Sequence, residues 1–305
     1  MTMETASDNE LILIEPQSDQ FILAIQKILK DHSGRAIRMI GTEDGQAGDY
    51  AEAMRPHYPE SDISITADTT DVPNGALVVI FEQDGAALQK TFMPLLDGAG
   101  LTVIAPVTDW HCSRRPLYLI SIPKSGTHLL YGLAEAFGYA PAVTTEAEPL
   151  PGQWYCLEYT NSHTSARDFF VDSVRRSPNG GRHHPFPRTP TLFMYRNPLD
   201  VVVSEANYYH RDGNTLFAPY LSGFDFEGRL QRLINDPWAL GSIRDRMGVF
   251  TPWLDCVNVM PLSFEEIVGS RGGGSDAIQS RLIWSLQLKL QIPGKPSTYA
   301  RKVFN

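Results

Sequence analysis

Cysteine is scarce in this 305-residue chain: three residues, Cys112, Cys156 and Cys256, far apart and with no C-x-x-C pair. An odd, scattered set argues against a disulfide framework and a zinc site and favours a reducing compartment, with the cytoplasm as the expected location. No apolar run approaches the roughly 20 residues that a membrane span requires. The opening MTMETASDNE is acidic and polar, unlike a signal or transit peptide. A basic excess is also missing. Lys and Arg number 26 against 35 Asp and Glu, a formal net charge of −9 at pH 7. That balance argues against nucleic acid or an anionic membrane surface as the main partner, yet leaves room for a local basic pocket. The length allows one large or two modest domains, each with its own core.

Residues 10–105 alternate between strand and helix patterns. ELILIE, AIRMIG, SDISITA, ALVVIFE and LTVIAPV read as strands. FILAIQKILKDH, GDYAEAMRP and ALQKTFMPLLDGAG read as helices. The alternation implies a parallel sheet with helices on its faces, a smaller Rossmann-like α/β domain over residues 1–110. Dinucleotide binding would need G-x-G-x-x-G after the first strand, where this chain has EPQSDQ. The glycines of GTEDGQAGD follow the second strand without that spacing and are read as a structural turn. The role of this domain is left unassigned. PVTDWHCSRRP loses periodicity and is read as the seam, with a second α/β domain over residues 114–305.

The second domain opens on YLISIPKSGTHLLYGLAEAFG, residues 118–138. An apolar strand enters a Pro-Lys-Ser-Gly-Thr turn, and an amphipathic helix follows, stopped at Gly138. Such a turn aims backbone N–H groups and the positive end of a helix at an anion, and Lys124 adds a full charge. The lysine precedes Gly126, so the order is not that of Walker A. Residues 139–163 show little periodicity and are read as loop; TSARDFFVDSVRRS is read as helix. A turn-rich PNGGRHHPFPRTP follows, with His183 and His184.

The stretch TLFMYRNPLDVVVSEANYYHR repeats the strand–turn–helix plan. Asn197 suits an N-cap, Pro198 the first helical position and Asp200 the third. Arg196, leaving the strand at a helix start, can fork onto a phosphate or pair with Asp200. Ser204 lies one turn beyond Asp200 on the same side. Further on, Tyr208, Tyr209, His210, Phe217, Tyr220, Phe224, Phe226 and Trp238 form an aromatic-rich stretch that fits either an acceptor wall or the core of a helical layer.

PKSGTHLL after a strand, with RNPLDVVVS some seventy residues on, resembles the cytosolic-type sulfotransferase family. The family's 5′-phosphosulfate loop is typically PKSGT-T-W, and its 3′-phosphate segment RNPxDxxVS. His183-His184-Pro185 matches its H-x-P loop, and NVMPLSFEEIVG is similar to its later strand and turn. The resemblance covers about residues 117–269. It implies a P-loop-like parallel sheet flanked by helices and the co-substrate 3′-phosphoadenosine 5′-phosphosulfate (PAPS), which leaves as adenosine 3′,5′-bisphosphate (PAP). No metal is implied. Carried over, Lys124, Ser125, Gly126 and Thr127 hold the 5′-phosphosulfate, while Arg196 and Ser204 hold the 3′-phosphate. His183 is the base for a hydroxyl acceptor, with His184 the alternative if the loop is shifted by one. His128 stands in the T-T-W position as a further phosphate ligand or a plain helix-start residue.

The family's tryptophan is replaced by Leu129. Its closing R-K-G-x-x-G segment is matched only by Arg301-Lys302, followed by Val303, so that segment is expected to be short or missing. The alternative function is a non-catalytic nucleotide- or glycan-binding protein on the same fold. The sequence carries no signal for the acceptor or the oligomeric state.

Overall fold

The computed structural model describes residues 8–16, 18–31, 34–108, 111, 115–142, 150–158, 188–213, 215–236, 241–248 and 250–304. Contacts divide the chain into two units, residues 1–114 with 277–305, and residues 115–276. Each holds a five-stranded parallel sheet.

In the first unit the strands are β1 (Glu10–Ile14), β2 (Ile37–Ile40), β3 (Ile63–Thr66), β4 (Leu77–Ile80) and β5 (Thr102–Pro106), in the order β1-β5-β4-β2-β3. Leu77–Ile80 and Val103–Ala105 are wholly buried, the near-continuous apolar run expected of a parallel strand covered on both faces. The helices α1 (Ser18–Asp31), α2 (Gln46–Met54) and α3 (Gly85–Phe92) follow β1, β2 and β4. The first unit is therefore α/β with a parallel sheet, as its alternation predicts.

The last helices belong to this unit rather than to the second domain, where the boundary 114–305 placed them. The long Asp276–Leu290 helix packs Trp284 and Leu288 into one face of the first core. Its Trp284 indole donates to the Leu95 carbonyl at 3.0 Å, and Gln89 donates to the carbonyls of Leu288 and Lys289. Leu11 and Gly294 exchange backbone hydrogen bonds at 3.1 and 2.7 Å. That helix buries Gln279, Ile283, Trp284, Leu286, Gln287, Leu288 and Leu290 over a broad sector, a pattern that names neither sheet in the sequence.

In the second unit the strands are β6 (Leu117–Ser121), β7 (Ala140–Pro141), β8 (Gln153–Glu158), β9 (Thr191–Tyr195) and β10 (Val259–Ser263), in the order β10-β9-β6-β8-β7. β8 corrects the expectation of a loop over 139–163. Trp154, Tyr155 and Cys156 are buried as β8 pairs with β6 from Leu117↔Trp154 to Ser121↔Glu158. Burial against neighbouring strands overrides a weak local pattern. The helices that concern the site are α4 (Thr127–Ala136) after β6 and α5 (Pro198–Tyr208) after β9. The helix read over 164–177 and the histidine loop lie outside the described residues. Among the described residues no helix is long and apolar enough to cross a membrane.

Candidate active site

From β6 the chain moves outward through α4 to β7 and β8 on one side, then returns to build β9 and β10 on the other. The two directions part between β6 and β9, which is where open α/β sheets place ligands, at the carboxyl ends of the strands. The Lys124–Gly126 turn and Arg196 leave those two strands. A backbone bond from Ile122 N–H to the Met194 carbonyl, 3.0 Å, extends the β6–β9 pairing to the mouth of both turns.

The β6 turn is tight. Ser125 N–H bonds back to the Ile122 carbonyl at 3.0 Å, and Gly126 opens α4 in the left-handed region at φ 104°. A Cβ at Gly126 would stand 2.7 Å from the Phe264 ring, so glycine is required for the close approach as well as for the dihedral angle. Lys124 is also left-handed, at φ 65°, a conformation that costs a non-glycine residue on the order of 1–3 kcal/mol and clusters at functional sites. Thr127 donates through Oγ1 to Ser121 Oγ at 2.9 Å, which ties the helix start to the strand end. Ser125 is fully buried, and its hydroxyl has no hydrogen-bond partner among the described residues. His128 is exposed, edge-on to Tyr131 at 5.7 Å between ring centroids.

The β9 turn meets the first one directly. Arg196 Nη1 reaches the Lys124 carbonyl at 3.5 Å, and its guanidinium carbon lies 4.3 Å from the centroid of the Phe264 ring. Its Nε is buried and has no partner among the described residues. No ion pair joins Arg196 to Asp200 among the described residues; Asp200 is exposed in the first turn of α5. The Asn197 side chain caps α5 by accepting the Leu199 N–H at 3.0 Å, as its sequence position suggests. Ser204 is half-buried on α5, one turn before Tyr208. Burial opposes charge on Glu265. Donation from the Asn197 N–H at 3.0 Å and the Ser263 hydroxyl at 2.8 Å, with Arg196 nearby, nevertheless holds its carboxyl below the usual range.

Behind the turn stands a buried ion pair. Glu205 on α5 is 2% exposed and accepts from Arg246 at 2.6 Å. Arg246 also donates to the carbonyls of Gly241 and Leu233. Burial raises the Glu205 carboxyl above its ordinary value, against the pull of Arg246 and then of Lys124. The Lys124 ammonium itself sits 3.6 Å from the centroid of the Tyr208 ring.

The structure thus brings Lys124, Ser125, Gly126 and Thr127 next to Arg196. His183 and His184 lie outside the described residues. Sequence reasoning missed Phe264, Glu205, Glu265 and Arg246 and treated Tyr208 only as part of an aromatic stretch. Helical spacing from Ser204 would have found Tyr208; the others have no sequence signal, since their partners are distant in the chain. In the rest of that stretch Tyr209 is buried with Val202, Ala206, Leu221 and Leu233, and Phe217 and Tyr220 pack against them, so these rings are core. Among the described residues no group of three or more His, Cys, Asp or Glu could hold a metal ion.

No protein-family model matches the chain, and no curated protein does. Among solved structures it is similar to mouse sulfotransferase SULT7A1 complexed with PAP, at 18% identity and a TM-score of 0.40. The match covers 62% of this chain and 61% of that one. At that level the likeness lends no weight to a function.

Proposed function

We propose that the protein is a sulfotransferase that moves the sulfuryl group of PAPS to a hydroxyl acceptor. The observation that carries this reading is the pairing of two cationic turns at one switch point. Each turn holds a buried polar atom without a partner among the described residues, Ser125 Oγ and Arg196 Nε. Buried donors are rarely left unmade, and two at adjoining turns of one sign call for an anionic ligand.

Lys124, Ser125, Gly126, Thr127 and the exposed His128 would hold the 5′-phosphosulfate, with Arg196 and Ser204 on the 3′-phosphate. When bound, the co-substrate supplies an activated sulfuryl group on a phosphate oxygen that leaves readily. Lys124 neutralises charge at the leaving oxygen, and the N–H groups at the start of α4 add fixed donors that need no reorganisation. Arg196 holds and orients the far end of the nucleotide. His183 is the proposed base, a neutral imidazole near pH 7 that takes the acceptor's hydroxyl proton; His184 is the alternate.

The test is transfer from labelled PAPS to a mixed panel of phenolic, sugar and lipid alcohols. Transfer that disappears in Lys124→Ala and His183→Ala supports the proposal. Binding of PAP without transfer to any acceptor would favour the non-catalytic nucleotide-binding reading. Binding of ATP with Mg²⁺ in place of PAPS would overturn the sulfotransferase reading.

A further inference from the structure

We propose that Phe264 is a positioning residue for Arg196: its ring, admitted by Gly126, carries the guanidinium where the 3′-phosphate binds and leaves the N–H donors to that phosphate. The inference rests on the sulfotransferase reading above. The guanidinium carbon lies 4.3 Å from the ring centroid, well inside the distance at which a cation is attracted by an aromatic face. Both side chains are half-buried. A Cβ on Gly126 would stand 2.7 Å from Cδ2 and 3.1 Å from Cε2 of the same ring, so the ring fills the space that a glycine leaves. One glycine therefore serves both turns. It takes the left-handed conformation that opens α4, and it makes room for the support of the arginine on the neighbouring strand.

A guanidinium grips phosphate through N–H donors that lie in its own plane. A carboxylate partner would engage those donors and neutralise the charge, whereas an aromatic ring attracts the cation through its face. Glu265, next in the chain to Phe264, is committed elsewhere. One of its oxygens accepts the Asn197 N–H at 3.0 Å and the other the Ser263 hydroxyl at 2.8 Å. Among the described residues no carboxylate forms an ion pair with Arg196, and its hydrogen bond is the 3.5 Å contact from Nη1 to the Lys124 carbonyl. The ring thus fixes the arginine before the ligand arrives, so less freedom is lost on binding. The guanidinium stays on the ring when phosphate binds, and removing the ring must therefore weaken the complex.

The test uses the full chain with PAP as the probe in calorimetric titrations of wild type, Phe264→Tyr, Phe264→Leu, Arg196→Ala and the Phe264→Leu/Arg196→Ala double variant. Phe264→Tyr keeps the aromatic face and should match wild type. Phe264→Leu should weaken PAP by about two- to fivefold, the range that a half-exposed cation–π contact supports. The double variant should bind PAP no more weakly than Arg196→Ala alone, because without the guanidinium the ring has nothing to place. In proton–carbon spectra of arginine-labelled protein, assigned through Arg196→Ala, the Arg196 δ-methylene should show an upfield ring-current shift. That shift should persist in Phe264→Tyr and on adding PAP, and vanish in Phe264→Leu. Additive losses in the double variant would mean that the ring acts on the nucleotide or the fold independently of Arg196. That result, or a ring-current shift unchanged in Phe264→Leu, would overturn the positioning role while leaving the sulfotransferase reading intact. A wild type that does not bind PAP would instead overturn that reading, and the positioning role with it.

Discussion

The two sheets of this molecule share a plan and differ in charge where the plan matters. In the first, the chain leaves β2 for β3 at one edge, then returns to β4 and β5 on the other side, so the directions part between β2 and β4. In the second they part between β6 and β9. Both crevices are flanked by a strand-to-helix turn containing glycine. The turns after β2 and β4 carry Glu43, Asp44, Glu82 and Asp84, and those after β6 and β9 carry Lys124 and Arg196. The acidic turn after β4 also satisfies itself. Asp84 accepts the N–H groups of Ala86 and Ala87 at 3.1 and 2.8 Å, and Glu82 accepts that of Asp84 at 2.9 Å. The basic turns keep Ser125 Oγ and Arg196 Nε without partners among the described residues. Topology supplies a switch point in both; among the described residues the turns of the second carry the positive charge and the unpartnered Ser125 Oγ and Arg196 Nε.

The largest expected effect breaks the comparison at its cationic end. Lys124→Ala should lower turnover with PAPS about 10²- to 10³-fold, the usual cost of one donor aimed at developing charge. Single-turnover rates measured at saturating PAPS would isolate that loss from binding. Arg196→Ala comes next. It should weaken PAP about 10- to 100-fold, as expected for hydrogen bonds from a charged group worth about 1.5–3 kcal/mol. Turnover at saturation should change little. A reversed pattern, with Arg196 governing rate and Lys124 only affinity, would swap the two phosphate sites.

These two cations were legible from sequence because strand, turn and helix signals are local, and the distance between the motifs matched a known pairing. The supports around them were not legible. Phe264 lies under both Gly126 and Arg196, and Glu265 receives the Asn197 N–H, yet both follow β10, some seventy residues beyond Asn197. Arg246 likewise finds Glu205 only through folding. In the fold, alternating apolar runs exposed the first sheet. Gln153–Glu158 escaped because strand pairing buries a segment whose proline- and glutamate-rich flanks read as loop. The C-terminal helices fall in the first unit for a similar reason, since a helix's apolar residues do not name the sheet that will bury them.

At the acidic switch point the expected outcome is purely structural. Asp84→Ala removes the side-chain cap of α3 and should cost about 1 kcal/mol of stability. It should leave PAP affinity unchanged. Thermal unfolding of that variant beside a PAP titration would check both halves. A change in PAP affinity would mean that the first crevice does more than support its own helix.

The smallest effect separates the two regions by pH. Glu265 has its carboxyl held below the ordinary range although burial opposes it, because the Asn197 N–H and the Ser263 hydroxyl donate to it and Arg196 lies near. A depressed carboxyl stabilises the fold most above its unfolded pKa of about 4.3, and that contribution is lost as pH falls through the folded value. Glu265→Gln keeps an acceptor oxygen but loses the charge, so the difference should be at most about 1 kcal/mol, near the net worth of one hydrogen bond. Denaturant midpoints of wild type and Glu265→Gln should therefore differ at pH 7 and converge as the solution is made acid. Because Glu265 anchors the N–H that opens the Arg196 helix, PAP binding should weaken slightly in the variant at pH 7 too. A stability gap that stayed constant from pH 7 into the acid range would show that the carboxylate's charge plays no part in holding the second turn.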